Sequence, residues 1–237
     1  MQIIIPVWFY GYDSVIYLIN SFIGFLLSFY FYRIFSLSSE KKHLYLHLGF
    51  LFLSVGLLIL SIISEFSYLA YENCLDSSAS CSLGLLDSIY SIEDFSYFAY
   101  FGLSIFAYIL FLAAYGGEYV DYSRILIIAL LVYLVYIVLH ITYIPVKEGH
   151  ILWYTYREYF NMAAIALLAF ISFRNIANYF EMKSLNSLLV ALSFSFLALY
   201  HVIRLFSFIS GLYVLGHIFM LLAFGALLLM VVRVKRR

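Results

Sequence analysis

Apolar residues run along this chain in blocks of about 20, and the polar residues collect between them. Seven blocks can be drawn, at 15–34, 44–63, 95–115, 125–144, 156–176, 188–209 and 212–232. A hydrocarbon core about 30 Å thick is crossed by about 20 helical residues, so each block is long enough to span. Charge or turn signals fill the breaks at 36–42, 67–94, 116–124, 145–149 and 178–186, and a tight turn is expected at Ser210 and Gly211. Lipid cannot satisfy open backbone groups, and blocks this long and evenly apolar do not suit barrel strands. The pattern predicts an all-α, polytopic integral membrane bundle of seven transmembrane helices, one domain over residues 1–237.

Composition removes the soluble alternative. Hydrophobic residues make up 66% of the chain and charged ones 11%, less than half the roughly 25% of a soluble domain. Seven crossings use most of the 237 residues, which leaves any chemistry to the bundle and its short loops. Orientation follows from Lys and Arg near the span ends. With the N-terminus outside and the C-terminus inside, the inner side collects Arg33, Lys41, Lys42, Arg124, Arg174, Lys183, Arg233, Lys235, Arg236 and Arg237. The outer side then keeps Lys147 and Arg157, while Arg204 falls within the sixth span. The acidic Glu72, Asp76, Asp87, Glu93 and Asp94 share one outer loop. The first basic residue is Arg33, so residues 1–13 read as a short outer segment and not as the charged start of a secretory signal. The expected location is the cell membrane, crossed several times. No internal repeat is evident, and an odd number of spans argues against a simple duplication.

Cys74 and Cys81 lie in that acidic loop. On the outer side they are expected to form a disulfide, which would stabilise by about 2 to 3 kcal/mol on the loop-entropy estimate. Trp8, Tyr10, Tyr12, Trp153, Tyr154 and Tyr156 suit an aromatic belt at the outer interface. His43 and His47 have the i, i+4 spacing of a helical metal clip, but beside Lys41 and Lys42 they fit a headgroup boundary without metal. No metal site is expected. The basic run from Arg233 to Arg237 marks orientation and suits anionic lipid. Membrane lipid is the expected partner there, and direct nucleic-acid binding is not expected.

Ionisable groups inside hydrocarbon face the bundle interior and are functional candidates by default. Those of the outer half are Glu65, His140, Arg157, Glu158, His201, Arg204 and His217. His201 and Arg204, three apart, share a helical face. Two readings stay open: a polar network in which Glu65 or Glu158 partners Arg204, or one b-type haem held by His140 with His201 or His217. The first expects no cofactor. Neither a His-Glu-x-x-His run nor a Gly-x-Ser-x-Gly elbow occurs, which points away from an enzyme.

Three function classes follow: a non-enzymatic membrane subunit of a larger transport or translocation assembly, an electron-transfer subunit with one haem, and a heptahelical receptor or sensor module. The Asp-Arg-Tyr and Asn-Pro-x-x-Tyr motifs of the large receptor class are absent, and no lysine in the seventh block matches the retinal-bearing one of microbial rhodopsins. The wealth of Ile, Tyr, Phe and Ser with only two Pro resembles an archaeal membrane protein. In outline, though without a shared motif, the chain is similar to the polytopic subunit of crenarchaeal DNA-import systems. The transport class is preferred because it needs no cofactor, and it implies other membrane or soluble subunits as partners.

Overall fold

The structure, a computed structural model, describes residues 6–9, 11–76, 83–116, 153–206 and 210–235. A single 3-10 turn (Val7–Phe9) precedes α1 (Tyr12–Ser38), α2 (Lys41–Asp76), α3 (Leu83–Tyr115), α4 (Trp153–Met182), α5 (Leu185–Leu205) and α6 (Ser210–Lys235). All six helices are long and apolar enough to cross a membrane. The fourth sequence block, 125–144, lies outside the described residues.

Two boundaries differ from the sequence reading. Residues 67–76 and 83–94 were expected in a loop but belong to α2 and α3. Once a helix is running, each further residue adds a hydrogen bond for little added order, and no Pro interrupts either stretch. With 36 residues, α2 is about 54 Å long at 1.5 Å per residue, so one end stands clear of a hydrocarbon core of about 30 Å. The turn expected at Ser210 and Gly211 is displaced as well: α5 stops at Leu205 and α6 starts at Ser210.

The helices close into a ring in chain order, each packed on the next and α6 on α1. Side-chain pairs fix their directions. Along α1 and α2, Ser61 Oγ donates to the Ser14 carbonyl (2.7 Å), Ser21 Oγ to the Ser54 carbonyl (2.9 Å) and Ser28 Oγ to the His47 carbonyl (3.1 Å). Both members step by seven residues in opposite senses, so the helices are antiparallel, with the small side chains on the shared seam. Gly24 belongs to this face: a Cβ there would collide with Ser54 Oγ. Small residues allow the close approach on which packing in lipid depends. The pairs Phe52–Phe106 and Phe50–Phe111 make α3 antiparallel to α2.

The α3–α4 pair breaks the alternation. Phe98 and Phe101, midway along α3, meet Phe160, early in α4, with ring centroids 6.1 and 5.6 Å apart. Direction follows around the ring. α1 and α3 are each antiparallel to α2. α4 and α6 are each antiparallel to α5, across the Lys183–Ser184 turn and the Phe196–Phe219 and Tyr200–His217 pairs. α6 runs with α1, since their paired residues keep a constant separation of 200: Asp13 with Tyr213 and Tyr17 with His217. So α3 and α4 run the same way as well. The ring therefore divides into two sets, α1–α3 and α4–α6, with the same up-down-up order. Packing is dense within each set and sparser at the two parallel seams. The α1–α2 and α4–α5 turns also match. Each has two residues, the first left-handed: Ser39 at φ 55° and Lys183 at φ 48°. Their backbone N–H groups donate to Phe35 and Tyr179 carbonyls at 2.8 and 2.7 Å.

The ring's middle is filled by buried rings, among them Tyr17, Tyr100, Tyr108, Phe111, Phe194, Tyr200, Tyr213 and Phe224. Its outside carries Phe22, Phe29, Phe95, Phe173 and Leu229, all more than half exposed, the inverse of a soluble protein and the arrangement lipid favours.

Candidate functional site

Near the end of the bundle where α1 begins, the apolar filling gives way to polar and charged groups sealed from solvent. Asp13 sits in the first turn of α1, where a carboxylate complements the exposed N–H groups. It is 5% exposed. Its Oδ1 accepts from the Ser14 N–H (2.9 Å), and its Oδ2 accepts from Tyr213 Oη (3.0 Å) and Ser64 Oγ (3.3 Å). Three donors from three helices thus converge on one carboxylate.

Arg204, in the last turn of α5, is the largest fully buried side chain among the described residues and lies within electrostatic range of Asp13. Its guanidinium carbon is 5.0 Å from the Tyr213 ring centroid and 5.9 Å from that of Tyr200. Both distances suit cation–π attraction, which strengthens on desolvation.

The two histidines have fixed roles. His217 Nδ1 lies 2.8 Å from the Tyr213 carbonyl, which can only accept, so this nitrogen carries the proton. Nε2 then accepts from Tyr17 Oη at 3.0 Å. His201 Nδ1 donates to Asn161 Oδ1 (2.8 Å), with the amide oxygen facing the ring, and Nε2 accepts from Tyr108 Oη (2.9 Å). Each ring is a neutral imidazole with both nitrogens engaged, assigned from its partners. Phe9 covers the site from the 3-10 turn, its ring 5.4 Å from His217 and 6.0 Å from Tyr213.

Of the sequence candidates, His201, Arg204 and His217 come together here. Glu65 stays at the exposed rim, its Oε2 2.5 Å from Ser14 Oγ. Glu158 is exposed. The side chain of Arg157 and the whole of His140 lie outside the described residues, as do Cys81 and the Cys74 side chain. Asp13, Tyr17, Tyr108, Asn161 and Tyr213 complete the network and were not singled out from the sequence. At the opposite end, His43 Nε2 faces Glu40 (3.3 Å) while His47 Nδ1 faces Ser28 Oγ (2.9 Å), so this i, i+4 pair does not converge. Among the described residues no three His, Cys, Asp or Glu side chains group as metal ligands do.

Haem fits the described histidines poorly, because His201 and His217 would each have to surrender a tyrosine hydrogen bond to free Nε2 for iron. The purified protein is expected to show no Soret band. A Soret band abolished by His201→Ala or His217→Ala would overturn this arrangement.

Fold and network together define a multi-pass, all-α membrane bundle with charge sealed in its spanning part. Compared with protein-family models, curated proteins and solved structures, the chain finds no match.

Proposed function

We propose that this chain is a seven-span, non-enzymatic membrane subunit of a transport or translocation assembly, with its N-terminus outside and C-terminus inside the cell membrane. One observation carries the transport reading: Asp13, His201, Arg204 and His217 are buried side by side between helices. Ionisable groups inside hydrocarbon are costly and mark ion or substrate paths by default. The seventh span rests on direction. Because α3 and α4 run the same way, a return across the bundle is expected between them, and the apolar block 125–144 has the length to make it. Ten of the 13 Lys and Arg then lie on the inner side.

A C-terminally tagged chain extracted in mild detergent from its native membrane is expected to carry other subunits in fixed ratio by native mass spectrometry. A 27.5 kDa monomer that catalyses solute uptake alone in liposomes would remove the assembly, and partner-free chain with no uptake would remove transport as well. The orientation has its own test. Cys74 and Cys81, after reduction, are expected to react with a membrane-impermeant maleimide on intact cells. Reaction only after permeabilisation inverts the topology.

A further inference from the structure

We infer that the chain is built as two three-helix halves that rock against each other, and that the bonds Asp13–Tyr213, Tyr17–His217 and Tyr108–His201 form the gate closing them at the outer end. This rests on the transport reading and its orientation. The halves are α1–α3 and α4–α6. They share up-down-up order, two-residue left-handed turns after their first helices, and dense internal packing with sparse seams between them. A two-fold axis along the membrane normal relates such a pair, one of the repeat arrangements from which transporters are made. A crossing segment between the halves also reconciles an odd number of spans with duplication.

Polar bonds divide by position. Ser14–Ser61, Ser21–Ser54 and Ser28–His47 join helices inside the first half, and Asn161–His201 joins helices inside the second. The three gate bonds instead cross between halves, at 3.0, 3.0 and 2.9 Å. Deeper in the bundle, the halves meet through rings: Phe111 and Tyr115 of the first against Phe194 of the second, both at 5.4 Å, and Phe224 against the Gly24 face. Ring contacts slide with little loss because dispersion is weakly directional. Hydrogen bonds do not, since a donor or acceptor stranded in a dry interface bears its full desolvation penalty. The outer end therefore has two discrete states, bonded shut or opened to water, and the inner contact acts as the fulcrum. Asp13, Arg204 and their tyrosines lie at this end, so water entering there would favour a polar, hydrogen-bonding solute over an apolar one.

Spin-label distances test this in the full chain with Cys74→Ser and Cys81→Ser. One label pair, Tyr12→Cys with Tyr159→Cys, reports the outer ends of α1 and α4. The other, Leu37→Cys with Met182→Cys, reports their inner ends; all four positions are exposed. Tyr17→Phe with Tyr213→Phe keeps the rings and deletes two gate hydroxyls. The outer pair's long-distance population is expected to rise about threefold per hydroxyl, the usual worth of an interhelical hydrogen bond in membranes, while the inner pair shortens. Tyr108→Phe alone is expected to move both pairs in the same senses by about threefold. Unchanged distances, or both pairs lengthening together, overturn the rocking gate. Reciprocal shifts in an assembly that moves no solute would keep the rocking and remove transport. Unchanged distances in an assembly that does move solute would do the reverse.

Discussion

Arg204→Ala is expected to destabilise the purified bundle by about 3 to 5 kcal/mol, the range reached when one charge is removed from a buried polar and ionic cluster. The residue left behind is Asp13, 5% exposed at the start of α1. Its three hydrogen-bond donors remain, but the favourable field of the nearby guanidinium does not. The Tyr200 and Tyr213 rings also lose the guanidinium against which they pack. Asp13→Asn in the Arg204→Ala background is therefore expected to recover much of the loss, so that the double variant is more stable than the two single effects predict together. Glu65→Gln serves as the control. Glu65 is exposed and bonded to Ser14, so its effect is expected to add to that of Arg204→Ala without coupling. Thermal unfolding in one detergent compares the wild type with Arg204→Ala, Asp13→Asn, Glu65→Gln and the two double variants. Additivity between positions 13 and 204, or coupling between 65 and 204, would show that the counter-charge lies elsewhere.

That carboxylate illustrates where sequence reading stopped. The crossing helices were legible because a bilayer imposes a length and a composition that few soluble segments share, and of the six blocks on described helices five lie wholly within them. Asp13 lies two residues before the first block as drawn, where a charged residue looks like a boundary. Only packing reveals that α1 begins at Tyr12 with its first turn already enclosed by Phe9, Ser64 and Tyr213. Tyr17, Tyr108 and Tyr213 were hidden for another reason. In a chain with 24 tyrosines, no spacing tells a ring at the lipid interface from a ring whose hydroxyl holds a histidine. Asn161 was passed over because only ionisable groups were weighed, although a buried amide needs partners just as surely. The twofold arrangement left no trace in residue identity because apolar side chains facing lipid interchange freely. It survives in helix direction and in the matching left-handed turns at Ser39 and Lys183.

The middle of the bundle offers the second large effect, and its sign reverses with background. Phe111 is fully buried between Phe50 at 4.7 Å and Phe194 at 5.4 Å, one from each half. Phe111→Ala is expected to cost about 3 to 5 kcal/mol, the usual range when an aromatic ring is deleted from a packed interior. Gly49 on α2 faces the same ring: a Cβ there would lie 2.8 Å from Phe111 Cδ1 and nearer still to Cε1. Gly49→Ala alone is expected to destabilise by about 1 to 3 kcal/mol through overpacking, although alanine is the better helix former by about 1 kcal/mol. In the Phe111→Ala background the obstructing ring is gone. The added methyl then fills part of the cavity and keeps its helical advantage, so the double variant is expected to be at least as stable as Phe111→Ala alone. Unfolding midpoints of the four proteins decide it. If Gly49→Ala destabilises equally with and without the ring, the close approach of α2 to Phe111 does not exist, and the packing that seats Phe111 between the two halves fails with it.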